Sequence, residues 1–112
     1  MSTTTDSVFV VLCTVPVDEA KALAEQLLDE RLVACVNFVG PITSRYHWEG
    51  RTEEATEMLL LMKTTDAARA RLRRRIDGLH SYSVPEVLEF GADGGLPAYL
   101  GWVAAVCPGE PA

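Results

Sequence analysis

The stretch Val-Ala-Cys-Val-Asn-Phe-Val-Gly-Pro-Ile-Thr-Ser-Arg-Tyr-His-Trp, residues 33–48, decides how this chain is expected to fold. Most of its residues favour strands. Toward its end, one face of the predicted strand carries Ile42, Ser44, Tyr46 and Trp48, and the other carries Thr43, Arg45 and His47. Strands usually run about 5 or 6 residues. The end that carries Tyr46 and Trp48 would therefore project into water unless another subunit packs on it. The stretch predicts an oligomer, with a bulge or bend at Gly40 and Pro41.

The segments on either side of this long strand predict an alternation of strands and helices. Residues 8–15 are a short apolar run typical of a buried strand, and residues 18–31 have the period of an amphipathic helix. A turn at residues 49–51 leads to a third strand over residues 54–64, which we expect to pair antiparallel with the second. Residues 87–90 predict a fourth strand, and residues 98–106 predict a short C-terminal helix.

Between the third and fourth strands, Asp66 is placed to cap a second helix. The buried stripe of that helix is predicted to be Ala68, Leu72, Ile76 and Leu79. The order of elements predicts an α+β fold, a ferredoxin-like βαββαβ sandwich with a long hairpin between strands two and three. Residues 8–106 form a single domain in this prediction, with a disordered N-terminal tail at residues 1–7 and a C-terminal tail at residues 107–112.

Composition excludes several classes of partner. The chain has 112 residues and a formal net charge of −6, so it lacks the basic excess that drives binding to nucleic acid. No apolar segment approaches the roughly 20 residues of a membrane span, and the polar start does not resemble a secretory signal. Three cysteines at distant positions indicate reduced thiols and a cytoplasmic protein.

A set of short motifs occurs in order along the chain. The set comprises Cys13-Thr14, residues 32–37, Thr43-Ser44, Trp48-Glu49-Gly50, Glu57, Lys63-Thr64, His80, Tyr82 and Pro85-Glu86. Together these motifs resemble the CutA (CutA1) divalent-cation tolerance family. The resemblance implies a cytoplasmic homotrimer that takes part in metal-ion tolerance and binds Cu(II) or another divalent cation. It implies no enzymatic activity and no organic cofactor.

The resemblance also implies a metal site formed by Cys13 and His80. A thiolate and an imidazole suit Cu(I), Cu(II) or Zn(II). Leu79 stands where some members have a second histidine, so Glu86 or a group from a neighbouring subunit would have to complete the site. The alternatives are that Cys13 is a small buried core residue and that His80 is a hydrogen-bonding residue of its loop.

The other two cysteines carry weaker expectations. Cys35 is predicted to face the same side of the second strand as Val33, as a core residue with a second thiol ligand as the alternative. Cys107 lies in the predicted tail and has no motif around it.

A cleft between subunits is the second site that the resemblance implies. Its expected residues, besides Glu86, are Ser44, Tyr46, Trp48, Glu57, Lys63 and Tyr82. Trimers of this family are similar in architecture to PII-type signalling proteins, so the alternative function is a trimeric module that senses a small effector in these clefts. The same charges could instead lock the trimer together, with Lys63 paired to Glu57 or Glu86. The sequence has no nucleophile flanked by cations, no P-loop and no pair of glycines suited to an oxyanion hole, so it does not indicate an enzyme.

Overall fold

The computed structural model describes residues 7–109, and within them four strands and three α-helices follow the predicted order. The strands are β1 (Val8–Pro16), β2 (Cys35–Trp48), β3 (Arg51–Thr65) and β4 (Leu88–Gly91). The helices are α1 (Ala20–Asp29), α2 (Asp66–Leu79) and α3 (Pro97–Val106), and a 3-10 turn, Val17–Glu19, precedes α1. Residues 1–6 and 110–112 of the two predicted tails lie outside the described residues.

The four strands form one antiparallel sheet in the order β2-β3-β1-β4. This is the strand order of the ferredoxin-like plan, so the predicted α+β class and element order are confirmed. Both main helices pack on one face of the sheet. The core there comprises Val11, Cys13, Val15, Leu60 and Met62 of the sheet with Leu23, Leu27, Leu72 and Ile76 of the helices. The alternate residues of β1 and β3 point to the opposite face, which we call the open face.

The β2-β3 hairpin is the longest feature of the molecule. The strands have 14 and 15 residues, and at about 3.4 Å per residue each spans nearly 50 Å, close to the 54 Å long axis of the chain. Glu49 and Gly50 both have positive φ angles, 50° and 78°, as a two-residue hairpin turn requires. The predicted third strand is therefore too short, since pairing begins at Arg51.

The predicted irregularity at Gly40 and Pro41 is confirmed by a register shift between Val39 and Ile42. Gly40 has φ 138°, and a Cβ at this position would lie 2.9 Å from the backbone nitrogen of Ile42. Only glycine fits this conformation and this close approach. Because of the bulge, both Val39 and Ile42 face the open side of the sheet.

Three local predictions are wrong. Thr65, not Asp66, caps α2: its hydroxyl accepts a hydrogen bond from the amide of Ala68. Leu79 is 38% exposed instead of buried, because it is the last residue of α2 and lies beyond the sheet-facing stripe. The second strand begins at Cys35, so Val33 lies in a buried connection before it. None of the helices in residues 7–109 is long and apolar enough to cross a membrane.

Candidate functional site

A cleft of about 650 Å³ lies on the open face of the sheet, near the C-terminal end of β1. Its lining residues are Thr14, Ser44, Arg45, Tyr46, Trp48, Glu57, Tyr82, Ser83, Val84 and Glu86. Three pieces of the chain form it: the end of β1, the two arms of the hairpin, and the loop between α2 and β4. The long hairpin thus supplies one wall, and its aromatic residues Tyr46 and Trp48 remain 42% and 41% exposed in the single chain.

Glu57 is the most buried charged side chain of the cleft. Only 4% of it is exposed, and a carboxylate at such a position needs hydrogen-bond donors to offset the loss of water. Tyr82 supplies one, since its hydroxyl donates to Oε2 of Glu57 over 2.8 Å. Burial, followed by this hydrogen bond, raises the pKa of Tyr82 above its ordinary value of 10.0. Tyr82 therefore stays protonated and donates throughout the physiological pH range.

His80 holds the loop that carries Tyr82. The backbone amide of Tyr82 donates to Nδ1 of His80 over 3.1 Å, so the ring proton is on Nε2, which donates to the carbonyl oxygen of Thr14 over 2.8 Å. The two rings also pack together, with centroids 4.7 Å apart. Both ring nitrogens are thus in use, and a metal ion could bind His80 only by displacing one of these contacts.

Cys13 points away from the cleft. It is fully buried on the helical side of the sheet. Burial, together with the negative charges of Glu86 and Glu57, raises the pKa of its thiol to about 12. A metal ligand must be a thiolate, which this environment disfavours. Among residues 7–109, no three His, Cys, Asp or Glu side chains are grouped so that they could hold a metal ion. Cys13, His80 and Glu86 of one chain therefore do not fit a preformed metal site.

Most residues predicted for the inter-subunit cleft do lie together. Ser44, Tyr46, Trp48, Glu57 and Tyr82 all line the cleft, and Glu86 joins them. Lys63 does not: it lies near the other end of β3, where its ammonium donates to Cys35 and Asn37 and not to Glu57 or Glu86.

The cleft has four further lining residues that were not predicted: Thr14, Arg45, Ser83 and Val84. A signal existed for Thr14. Because strand neighbours face opposite sides, placing Cys13 in the core sets Thr14 on the open face. Arg45 lies between Ser44 and Tyr46 in the sequence, but strand alternation puts its side chain on the opposite face, so its contribution to the cleft lining could not be predicted. Ser83 and Val84 belong to a loop, whose path no periodicity predicts.

The remaining cysteines differ from expectation. Cys35 faces the open side of the sheet beside Lys63, because β2 starts at this residue and alternation does not extend back to Val33. Cys107 is fully buried, and its carbonyl oxygen accepts a hydrogen bond from the Thr65 hydroxyl. It packs with Val8, Ala68 and Val103, so the packed part of the chain extends past residue 106.

The sequence and the fold both match known proteins. The family model of the CutA1 divalent ion tolerance protein matches residues 9–106. The chain is 46% identical over 95 residues to the divalent-cation tolerance protein CutA of Thermus thermophilus, a match that covers 84% of this chain and 92% of the relative. It is 40% identical over 89 residues to the protein CutA homolog of Xenopus laevis, covering 80% of this chain and 59% of that longer protein.

Among solved structures, the chain is similar to the PII-like protein CutA from Nostoc sp. PCC 7120. The TM-score is 0.85 at 31% identity, and the match covers 89% of this chain and 97% of the other. The family match includes the hairpin, the cleft and the loop that carries His80 and Tyr82. This chain therefore belongs to the CutA1 divalent ion tolerance protein family.

Proposed function

We propose that this chain acts as a homotrimeric sensor in divalent-cation tolerance, without enzymatic activity, and that a small ligand binds in the cleft on the open face. The observation that carries the proposal is the buried Glu57 carboxylate, which accepts a hydrogen bond from Tyr82 in a cleft also lined by the exposed rings of Tyr46 and Trp48. Small-ligand sites commonly combine apolar walls with a few fixed polar groups. The PII-like relative supports the same interpretation.

The homotrimer is supported by the exposed hairpin. Val39 of β2 is exposed as well as Tyr46 and Trp48, and its pairing with Leu59 puts it on the same open face, so this face of the long arm presents apolar side chains to solvent. Contiguous exposed apolar surface of this kind marks an interaction site. A neighbouring subunit on this face would bury the aromatic rings and close the cleft. We place the protein in the cytoplasm because all three of its cysteines are free thiols.

The charge of the cleft favours a cationic ligand. Glu57 and Glu86 contribute two carboxylates. The one basic residue of the lining, Arg45, forms an ion pair with Glu54 at 3.3 Å. Aromatic faces such as those of Tyr46 and Trp48 also attract cations. A divalent cation with its water shell and a small organic amine are the two ligand classes that this lining suits.

Direct binding of Cu(II) by Cys13, His80 and Glu86 is the second candidate function. In its favour, His80 bonds to Thr14, the residue after Cys13. The cost is the ionisation of a buried thiol and the loss of a His80 hydrogen bond. A group from a neighbouring subunit would also have to complete the coordination.

Calorimetric titration of metal-free protein with Cu(II), Zn(II) and a panel of small amines tests the proposal. Glu57→Gln should weaken binding of the cleft ligand by at least about tenfold, because it removes the buried charge that a cation would pair with. Glu25→Gln, which changes an exposed carboxylate of α1 on the other side of the sheet, is the control and should bind as the wild type does. Equal affinity of Glu57→Gln and wild type would contradict the cleft proposal.

Two cysteine variants distinguish the second candidate. If Cys13 is a ligand, Cys13→Ala should abolish stoichiometric Cu(II) binding, whereas Cys107→Ala, an equally buried thiol outside the site, should not. If the cleft is the site, both cysteine variants should keep the wild-type affinity.

A further inference from the structure

The two oxygens of the Glu57 carboxylate differ in their hydrogen bonds. Oε2 accepts from the Tyr82 hydroxyl over 2.8 Å, whereas Oε1 has no donor among residues 7–109. Only 4% of Glu57 is exposed, so bulk water has little access to this oxygen. A buried carboxylate oxygen without a donor is costly, and such groups are rare in folded proteins. Oε1 is therefore an acceptor in the wall of the cleft that a bound molecule can use.

The side chains that line the cleft do not supply this donor. The basic side chain of the lining, Arg45, is exposed and forms its ion pair with Glu54 at 3.3 Å. The Tyr82 hydroxyl has a single hydrogen, which goes to Oε2. Burial raises the pKa of Tyr82, so the hydroxyl keeps that hydrogen. The donor that Oε1 needs therefore comes from outside the single chain.

The walls of the cleft restrict which ligand can carry that donor. A bare divalent cation needs several ligands, and no three His, Cys, Asp or Glu side chains of residues 7–109 are grouped to hold one. A fully hydrated cation would place its water shell against Tyr46, Trp48 and Val84, whose apolar surfaces do not hydrogen-bond to it. At about 650 Å³ the cleft has the size of an organic-ligand site. An organic ammonium combines N–H donors for Oε1 with an apolar stem for these walls, and aromatic faces attract its charge.

We propose that the ligand of this cleft is a primary ammonium on an apolar stem, and that the ammonium donates a hydrogen bond to Oε1 of Glu57. The inference rests on the cleft function proposed above and selects one of its two ligand classes. Glu57 is then the specificity-determining residue. A quaternary ammonium has the charge but no N–H, and an alcohol has a donor but no charge, so neither replaces a primary ammonium. Tyr82 is the positioning residue, because its bond to Oε2 leaves Oε1 for the ligand.

Titration of the assembled protein with three benzyl compounds at pH 7.5, followed by NMR, tests the assignment. Benzylamine has the charge and the N–H donors, benzyltrimethylammonium keeps only the charge, and benzyl alcohol keeps only a donor. Benzylamine should bind with a Kd of about 1 mM or tighter, as suits a ligand of its size. It should bind at least about tenfold more tightly than either analogue, because the other two lack a charged hydrogen bond to Oε1. Equal or tighter binding of benzyltrimethylammonium would overturn the proposal. A lack of benzylamine binding would also overturn it, and is the result expected if a neighbouring subunit donates to Oε1 instead.

Two carboxylate variants locate the ammonium. Glu57→Gln should weaken benzylamine binding at least about tenfold, because the charged partner of the ammonium is lost. Glu86→Gln changes the other, exposed carboxylate of the same lining and should cost at most about fivefold. Thermal unfolding at one protomer concentration checks that both variants are folded, and the wild-type series decides alone if Glu57→Gln is not. Equal losses in two folded variants would refute the placement of the ammonium on Glu57.

Magnesium chloride separates failure of this inference from failure of the cleft function. Millimolar Mg²⁺ should leave the affinity for benzylamine unchanged, because the cleft walls do not suit its water shell. If Mg²⁺ binds wild type but not Glu57→Gln, and benzylamine does not bind, the cleft is a ligand site and the amine inference is wrong. If no amine and no metal ion binds in a way that depends on Glu57, both the inference and the proposed cleft function are wrong.

Discussion

Removal of the Tyr82 hydroxyl should expose how strongly the cleft depends on its buried carboxylate. Tyr82→Phe keeps the ring, and with it the 4.7 Å packing against His80. It deletes only the donor that lies 2.8 Å from Glu57. Glu57 is 4% exposed, so water cannot easily replace that donor. A hydrogen bond to a charged group contributes about 1.5–3 kcal/mol, and we expect Tyr82→Phe to lower the free energy of unfolding by about 2 kcal/mol.

Urea denaturation at pH 7.5 measures this loss. All variants are compared at one protomer concentration, because assembly makes apparent stability depend on concentration. A loss of about 2 kcal/mol corresponds to a fall in the midpoint of about 1 M urea. Ser81→Ala is the control: it deletes a hydroxyl from an exposed residue of the same loop, outside the cleft lining, and such surface changes stay within about 0.5 kcal/mol.

A double-mutant cycle shows whether the two side chains act on each other. In Glu57→Gln the carboxylate charge is lost, so adding Tyr82→Phe should cost less than it does in the wild type, with a coupling free energy of at least about 1 kcal/mol. If Tyr82→Phe is as stable as Ser81→Ala, or if the two changes add without coupling, the argument that Tyr82 holds a buried carboxylate is refuted.

Three further predictions concern charge, metal and assembly. Arg73 and Arg69 bond to the Glu89 carboxylate, which is 12% exposed, and hold its pKa below the ordinary 4.5. These bonds stabilise the folded protein above pH 4.5, and the stabilisation is lost as pH falls through the lowered pKa. Glu89→Gln should therefore lower the pH 7 melting temperature and flatten its fall in acid, while Glu54→Gln in an exposed pair changes neither. Leu79→His should strengthen Cu(II) binding in calorimetry if His80 is a ligand, and unchanged affinity would count against that candidate. Trp48→Ala should raise the protein concentration at which subunits dissociate by at least about tenfold, as measured by sedimentation; an unchanged value would place Trp48 outside the interface.

The order of elements could be predicted from sequence because hydrophobic period changes sharply along the chain. Residues 8–15 form an unbroken apolar run, whereas Leu23 and Leu27 recur at helical spacing. The residues at which helices and strands begin and end were harder to predict. Thr65 caps α2 although Asp66 beside it has the same capping ability. The choice depends on where β3 stops pairing with β1, which is a tertiary contact.

The sequence indicated most of the residues that line the cleft, but not the surroundings of the proposed metal ligands. Tyr46, Trp48, Glu57 and Tyr82 lie far apart in the sequence, and the family resemblance, not the spacing, indicated that they meet. The resemblance could not show which way Cys13 points or what already occupies the nitrogens of His80. Cys35 shows the same limit: the predicted strand starts at Val33, two residues before the observed start, and the face of Cys35 follows from its pairing with Lys63 and not from alternation with Val33.

The mass of the native particle tests the central claim, that a trimer covers the hairpin and closes the cleft between subunits. Sedimentation equilibrium at micromolar concentration should give three times the chain mass of 12.2 kDa. The trimer should persist on dilution, because covering the exposed aromatic residues supplies apolar burial that the small monomer lacks. A particle of one chain mass across that concentration range would contradict the account.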